Sequence, residues 1–189
     1  MTNEQRAGRP LRADAQLNED RLLHAAAAAF ARDGINVSVK EIARDAGVGV
    51  GTLYRRFPSK ELLVEATYRH EVRTLCASAP ELAAAEQPRE ALRTWMLRFM
   101  EFMAAKHGMA AALRVVLSDE GERLQTRADL TSAVQTLLGD GVARDSVAAR
   151  DVLMALGGIS LIAENDQDPA LAVRLIDLLL HGVLRDRRS

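Results

Sequence analysis

Between Ser38 and Lys60 the chain gathers side chains that can hold a phosphate. Ser38, Lys40, Thr52, Tyr54, Arg55, Arg56 and Lys60 are all N–H or O–H donors. Such groups bond the phosphate oxygens of a nucleic acid, and an arginine can also place two N–H bonds on guanine O6 and N7. Catalytic chemistry is poorly served by comparison. His70-Glu71-Val72-Arg73-Thr74 opens like the H-E-x-x-H zinc pattern but has Thr74 where the second ligand must stand. The four histidines are dispersed without ligand spacing, and the single cysteine, Cys76, has no adjacent histidine. These residues imply no enzyme, no metal site and no cofactor.

Short helices with clear punctuation must carry the donors. Ser38-Val39-Lys40-Glu41 has the form of a capping box, and the helix it opens turns Ile42, Ala43 and Ala46 inward before stopping at Gly47. After the turn Gly47-Val48-Gly49, a second short helix holds Leu53 and Phe57 four apart. Pro58-Ser59-Lys60-Glu61 then begins a longer helix with Ser59 as N-cap and Leu62, Leu63 and Ala66 inside. Helix, glycine-containing turn, helix over about 38–57 is the helix-turn-helix layout. It leaves Gly49, Val50, Gly51, Thr52, Arg55 and Arg56 facing outward, toward a groove about 12 Å wide. Thr52, Tyr54 and Lys60 are placed for phosphate, helped by the positive end of the Lys60 helix. An αα-hairpin that merely packs fits the pattern equally well.

Upstream, Leu22, Leu23, Ala26, Ala27 and Phe30 mark one face of a helix expected from Asn18 to Asp33-Gly34. Residues 1–17, with Arg6, Arg9 and Arg12 around Gly8 and Pro10, are expected to form a flexible basic arm. The 189 residues carry a net charge of −1, but residues 1–60 have a balance of +3 and the remainder −4. A mildly basic head on an acidic body fits a nucleic-acid module joined to something else. At 48% hydrophobic and 4% aromatic, rich in Ala, Leu, Arg and Glu, the chain is expected to be all-α. No apolar leader opens it, and Arg174, Asp177 and His181 interrupt its longest apolar stretch. A cytoplasmic protein with no membrane segment is the expectation.

The body divides into further helices: Pro88 to Lys106, Met109–Leu117, Glu122–Leu138, Val147–Ala163 and Ala170–Leu184, with Gly139-Asp140-Gly141 as one break. Trp95, Met96, Phe99, Met100 and Met103, with Leu113, Val134 and Met154, are candidates to line a ligand cavity. Plain core packing is the competing reading for each. Few inward charges accompany them, which points to a largely apolar effector. The last two helices are apolar around more than half their surface, and Gly157-Gly158 permits close approach of another helix. Burial against both the body and a symmetry mate explains that breadth.

The run Gly47-Val48-Gly49-Val50-Gly51-Thr52-Leu53-Tyr54-Arg55-Arg56-Phe57-Pro58-Ser59-Lys60-Glu61-Leu62-Leu63 resembles the DNA-binding segment of the tetracycline-repressor (TetR) family of bacterial regulators. The match reaches back through Ile42-Ala43 to Ala25–Phe30 and Gly34. The resemblance implies a helix-turn-helix head over 18–78, a helical ligand-binding and dimerisation body over 79–189, and no enzyme. It implies a homodimer that represses transcription from a near-palindromic operator until a small molecule releases it, on the nucleoid of a bacterial cytoplasm. By the same resemblance, Thr52 and Tyr54 are backbone-contacting residues, Lys60 opens the following helix, and Arg9 resembles a minor-groove arm. Members often carry Ser and Lys where this chain has Gly49 and Val50. A helical binding module with degenerate DNA recognition is therefore the second reading.

Overall fold

Long runs of Ala, Leu, Arg and Glu with few β-branched residues favour helix. The computed structural model is correspondingly helical; it describes residues 8–116, 119–144, 146–166 and 168–185, with side chains for all of these except 8–16, 115, 116, 140 and 141. Its helices are α1 (Gly8–Asp33), α2 (Val39–Asp45), α3 (Val50–Arg56), α4 (Lys60–Ala85), α5 (Pro88–Gly108), α6 (Ala110–Val116), α7 (Glu120–Val142), α8 (Ala149–Asn165) and α9 (Leu171–Val183). A 3-10 turn at Gly34–Asn36 joins α1 to α2. The expected all-α class is what is observed.

Two boundaries differ from expectation by more than two residues. α1 opens at Gly8 rather than near Asn18, so residues 8–17 continue the helix instead of forming an arm. Pro10 falls in the first turn, where its missing amide has no intrahelical acceptor to lose, and the Leu, Ala, Arg and Gln that follow favour helix. The residues before Gly8, and the side chain of Arg9, lie outside what is described. α7 likewise runs through the glycines at 139 and 141 to Val142, with Gly139 at φ 47° near its end.

The chain forms two compact units. The first comprises residues up to Glu71 together with Ala105–Val116; the second comprises Val72–Ala104 and the residues after Val116. The division expected from sequence lies near residue 78 and keeps 105–116 with the body. In the first unit α1 packs on α2, α2 on α3, and the 3-10 turn on both α1 and α6. Its core is Leu22, Leu23, Ala26, Phe30, Ile42, Ala43, Leu53, Leu63, Val64, Met109 and Leu113. Leu62, expected inside, is 46% exposed, and Val64 takes its inward place. Gly47, at φ 68°, makes the turn between α2 and α3 in a conformation that L side chains rarely adopt.

In the second unit the Trp95 indole N–H donates to the Leu75 carbonyl at 3.0 Å, tying α5 to α4. Its ring stacks on Phe99 at 5.8 Å between centroids. α8 packs on both α7 and α9. Arg93 Nε donates to Asp177 Oδ1 at 2.8 Å, linking α5 to α9 and holding the Asp177 carboxyl below its ordinary range. An antiparallel bridge pairs Ala143 with Leu184, sealed by Arg144 N to Val183 O at 2.9 Å and Arg185 N to Val142 O at 3.1 Å.

Gly108 makes the closest approach in the first unit. A Cβ there would overlap the Phe30 carbonyl oxygen, which is backbone and cannot rotate away. Gly108→Ala should therefore destabilise the protein by about 1–3 kcal/mol, the usual range for overpacking. Gly51→Ala, where an added Cβ meets nothing within 4 Å, should be neutral or stabilising by up to about 1 kcal/mol. Urea unfolding of the two variants checks this; equal midpoints would refute the close contact.

Candidate nucleic-acid interface

The capping box forms as expected. Glu41 N donates to Ser38 Oγ at 3.1 Å, and Ser38 N donates to Glu41 Oε2 at 3.2 Å. A hydroxyl oxygen that accepts a bond still carries its own O–H, so Ser38 keeps a donor for phosphate. Lys40 is exposed on α2, within the same turn. α3 starts from Gly49 without a side-chain cap and is anchored by Leu53, 1% exposed, with Phe57 buried just past its end. Gly51, Thr52, Tyr54, Arg55 and Arg56 are exposed and Val50 is half-buried. Tyr54 is 49% exposed.

The basic residues do not share one role. Arg55 Nη2 donates to Thr52 Oγ1 at 3.2 Å, one turn back along α3. The Arg56 guanidinium instead forms an ion pair with Glu19 of α1. Lys60 Nζ donates to the Val37 carbonyl at 2.7 Å, fastening the start of α4 to the residue before the α2 cap. An ammonium has three donors, so Lys60 retains two. At the same helix start Ser59 Oγ accepts from Leu62 N at 3.3 Å. The Glu61 carboxyl is held below its ordinary range by its own backbone amide and then by Ser59.

Ser38, Lys40, Thr52, Tyr54 and Arg55 are thus brought out on α2 and α3 with polar atoms to spare. Arg56 and Lys60 each have a protein partner. Glu19 and Val37 were missed by sequence reasoning, and no local signal could have found them: they lie 37 and 23 residues from the groups they bind.

The ligand candidates separate in the structure. Trp95, Met96, Phe99, Met103 and Val134 are buried in the second unit, and Met100 is half-buried. Leu113 is buried in the first unit instead. Met154 is 56% exposed on α8, so it lines no interior. It belongs with Leu161 and Ile162 of α8, and Val173 and Leu178 of α9, as large apolar side chains left in solvent. Leu178 is 68% exposed, and the groove along this side of α9 is bordered by Leu171, Leu175, Arg174 and Asp177. Among the described residues, no group of three His, Cys, Asp or Glu is placed to hold a metal ion.

Residues 22–67 match the bacterial regulatory proteins of the tetR family, and residues 87–185 match the C-terminal domain of SbtR-like transcriptional regulators. The crystal structure of a TetR transcriptional regulator from Streptomyces coelicolor is similar at 41% identity and a TM-score of 0.77, covering 90% of this chain and 99% of that one. A TetR transcription regulatory protein from Mycobacterium vanbaalenii is similar at 32% identity and a TM-score of 0.69, covering 93% and 100%.

The Arg56–Glu19 pair gives a stability test. Both groups reach solvent, so Glu19→Ala and Arg56→Ala should each cost at most about 1 kcal/mol. Because each removes the same pair, the double variant should lose little more than either alone. Strictly additive losses in thermal unfolding would show that the two side chains do not act together.

Proposed function

Because the chain belongs to the TetR family of bacterial regulatory proteins, we propose that this transcriptional regulator is a homodimer that represses from a near-palindromic operator until a small molecule releases it. The observation that carries this reading is α3: a short helix anchored by Leu53 that presents Thr52, Tyr54 and Arg55 outward. We assign DNA recognition to the first unit, with Ser38, Lys40, Thr52 and Tyr54 on phosphates. Among the described residues no helix is long and apolar enough to cross a membrane, and the proposed place of action is the bacterial cytoplasm, on the nucleoid when bound. The chemistry is binding rather than catalysis.

Assembly and effector binding fall to the second unit. Exposed Met154, Leu161 and Ile162 on α8 and Leu178 on α9 favour a symmetry mate against these two helices. Around Gly157 and Gly158 an added Cβ would meet nothing within 4 Å, which leaves α8 open to a closely crossing helix. For the effector, the apolar layer of Met96, Phe99, Met100, Met103 and Val134 favours a largely apolar molecule. It relieves repression only if it prefers the conformation that does not bind DNA. The second reading, a binding module with degenerate DNA recognition, is favoured only by Gly49 and Val50, which supply no polar side chain.

Two measurements test the proposal. Tyr54→Phe should weaken binding to all duplexes by a similar factor, because a phosphate contact positions the protein without reading sequence. Titration against specific and random DNA at several salt concentrations decides it; a loss confined to one base position would contradict the assignment, and binding without sequence preference would favour the second reading. Leu178→Glu should turn the dimer into monomers or aggregates, since a carboxylate would be buried unpaired in the seam. An unchanged dimer by light scattering would remove α9 from the interface.

A further inference from the structure

A helix that reads a major groove needs hydrogen-bonding side chains opposite the residue that anchors it. Successive residues of an α-helix lie about 100° apart, so with Leu53 pointing inward Gly51 and Arg55 fall within about 20° of the outward direction. Thr52 and Tyr54 take the flanks. Val50 and Arg56 lean back toward the protein, which agrees with the half-buried Val50 and with the Arg56–Glu19 pair. The leading end of α3 is Gly49-Val50-Gly51 and offers no side-chain donor or acceptor.

Arg55 supplies what that end lacks. Long helical side chains run back toward the helix N-terminus, over the preceding turn. The Arg55 guanidinium does so, donating through Nη2 to Thr52 Oγ1 at 3.2 Å. Arginine has five donors, and one bond to Thr52 leaves the pair that guanine requires. Among the described residues no carboxylate holds Arg55, whereas Glu19 holds Arg56. A Cβ at Gly51 would meet nothing within 4 Å, so the fold itself does not require glycine there. A bare backbone on the outward face does let that face approach a surface outside the chain, and lets the guanidinium reach past it.

We propose that Arg55 is the residue that reads sequence, through paired N–H bonds to O6 and N7 of one guanine in each operator half-site. Gly51 provides the clearance, Thr52 sets the direction of the guanidinium, and Arg56 takes no part in base readout. This rests on the DNA-binding reading above and names which base class its site takes.

Selection of bound duplexes from a random pool, with the full chain and its Arg55→Ala, Arg55→Gln and Arg56→Ala variants, tests it. The unsubstituted protein should select a two-fold symmetric motif with a fixed guanine in each half. Arg55→Ala should lose preference at that position alone, with a discrimination of about 5–140-fold abolished there, the factor that corresponds to about 1–3 kcal/mol. Arg55→Gln should shift the preference from guanine to adenine, whose N6 and N7 suit an amide. Arg56→Ala should select the original motif. If the unsubstituted protein selects a symmetric motif that both Arg55 variants also select, the Arg55 assignment is overturned and the regulator reading stands. Loss of the guanine in Arg56→Ala would equally overturn it. If the unsubstituted protein selects no motif at all, the DNA-reading function falls and the inference falls with it.

Discussion

Burial of Leu53 is the contact on which the candidate interface depends. α2 and α3 have seven residues each, far short of the roughly 12–15 at which an isolated helix becomes even marginal in water. Neither would form alone, because fixing the first turn costs more than one hydrogen bond returns. The Ser38–Glu41 capping box contributes about 1 kcal/mol to α2. α3 has no such cap, so tertiary packing must hold it. Full burial of one leucine contributes about 1.5–3 kcal/mol, and Leu53 enters a core where Phe30, Ile42, Ala43 and Leu63 are already fully buried. A single anchor on so short a helix also sets its rotation. With Leu53 inward, Thr52, Tyr54 and Arg55 have no other direction than solvent.

Punctuation and periodicity make this part of the fold legible in the order of the residues. Ser38 and Glu41, Gly47, Leu53 and Ser59 are local signals, each acting over three or four residues, and each does in the structure what its type and spacing imply. Legibility ends where the contact is long-range. Nothing near Arg56 in sequence points to Glu19, and nothing near Lys60 points to Val37. Apolar type has a similar limit. Met154 and Met96 are the same residue on helices of the same unit, yet one is exposed and the other fully buried. Hydrophobicity favours burial without saying which apolar side chains the fold covers. The start of α1 is hidden for a different reason: Asn18 is a good cap only where the preceding residues do not themselves favour helix, and 11–17 do.

The three cations clustered at 55–60 show how little of a basic sequence is field for DNA. One is offset by a carboxylate, one is anchored on a carbonyl, and one is guided by a hydroxyl. An ion pair such as Arg56–Glu19 contributes little potential beyond a Debye length of about 8 Å at physiological salt. The chain carries a net charge of −1 and a balance of only +3 over residues 1–60, so its long-range attraction to a polyanion is modest. On the proposed reading, the hydroxyls of Ser38, Thr52 and Tyr54 then carry more of the binding than they would in a strongly basic protein. That shifts the balance toward geometry, and geometry here is set by the Leu53 anchor and the turn at Gly47.

Magnitudes decide what a head of this kind needs beside it. One paired contact to guanine discriminates by about 1–3 kcal/mol, whereas specific operators are bound about 4–10 kcal/mol more tightly than random DNA. A single head that reads one guanine falls short of that window. Two heads related by a two-fold axis double the term to about 2–6 kcal/mol, which enters the lower part of the range. The exposed apolar side chains of α8 and α9, proposed above to meet a symmetry mate, would then serve the specificity that the sparse side chains of α3 need. On the proposed reading, a recognition helix with few base-reading groups gains adequate specificity when a second copy reads the same sequence again.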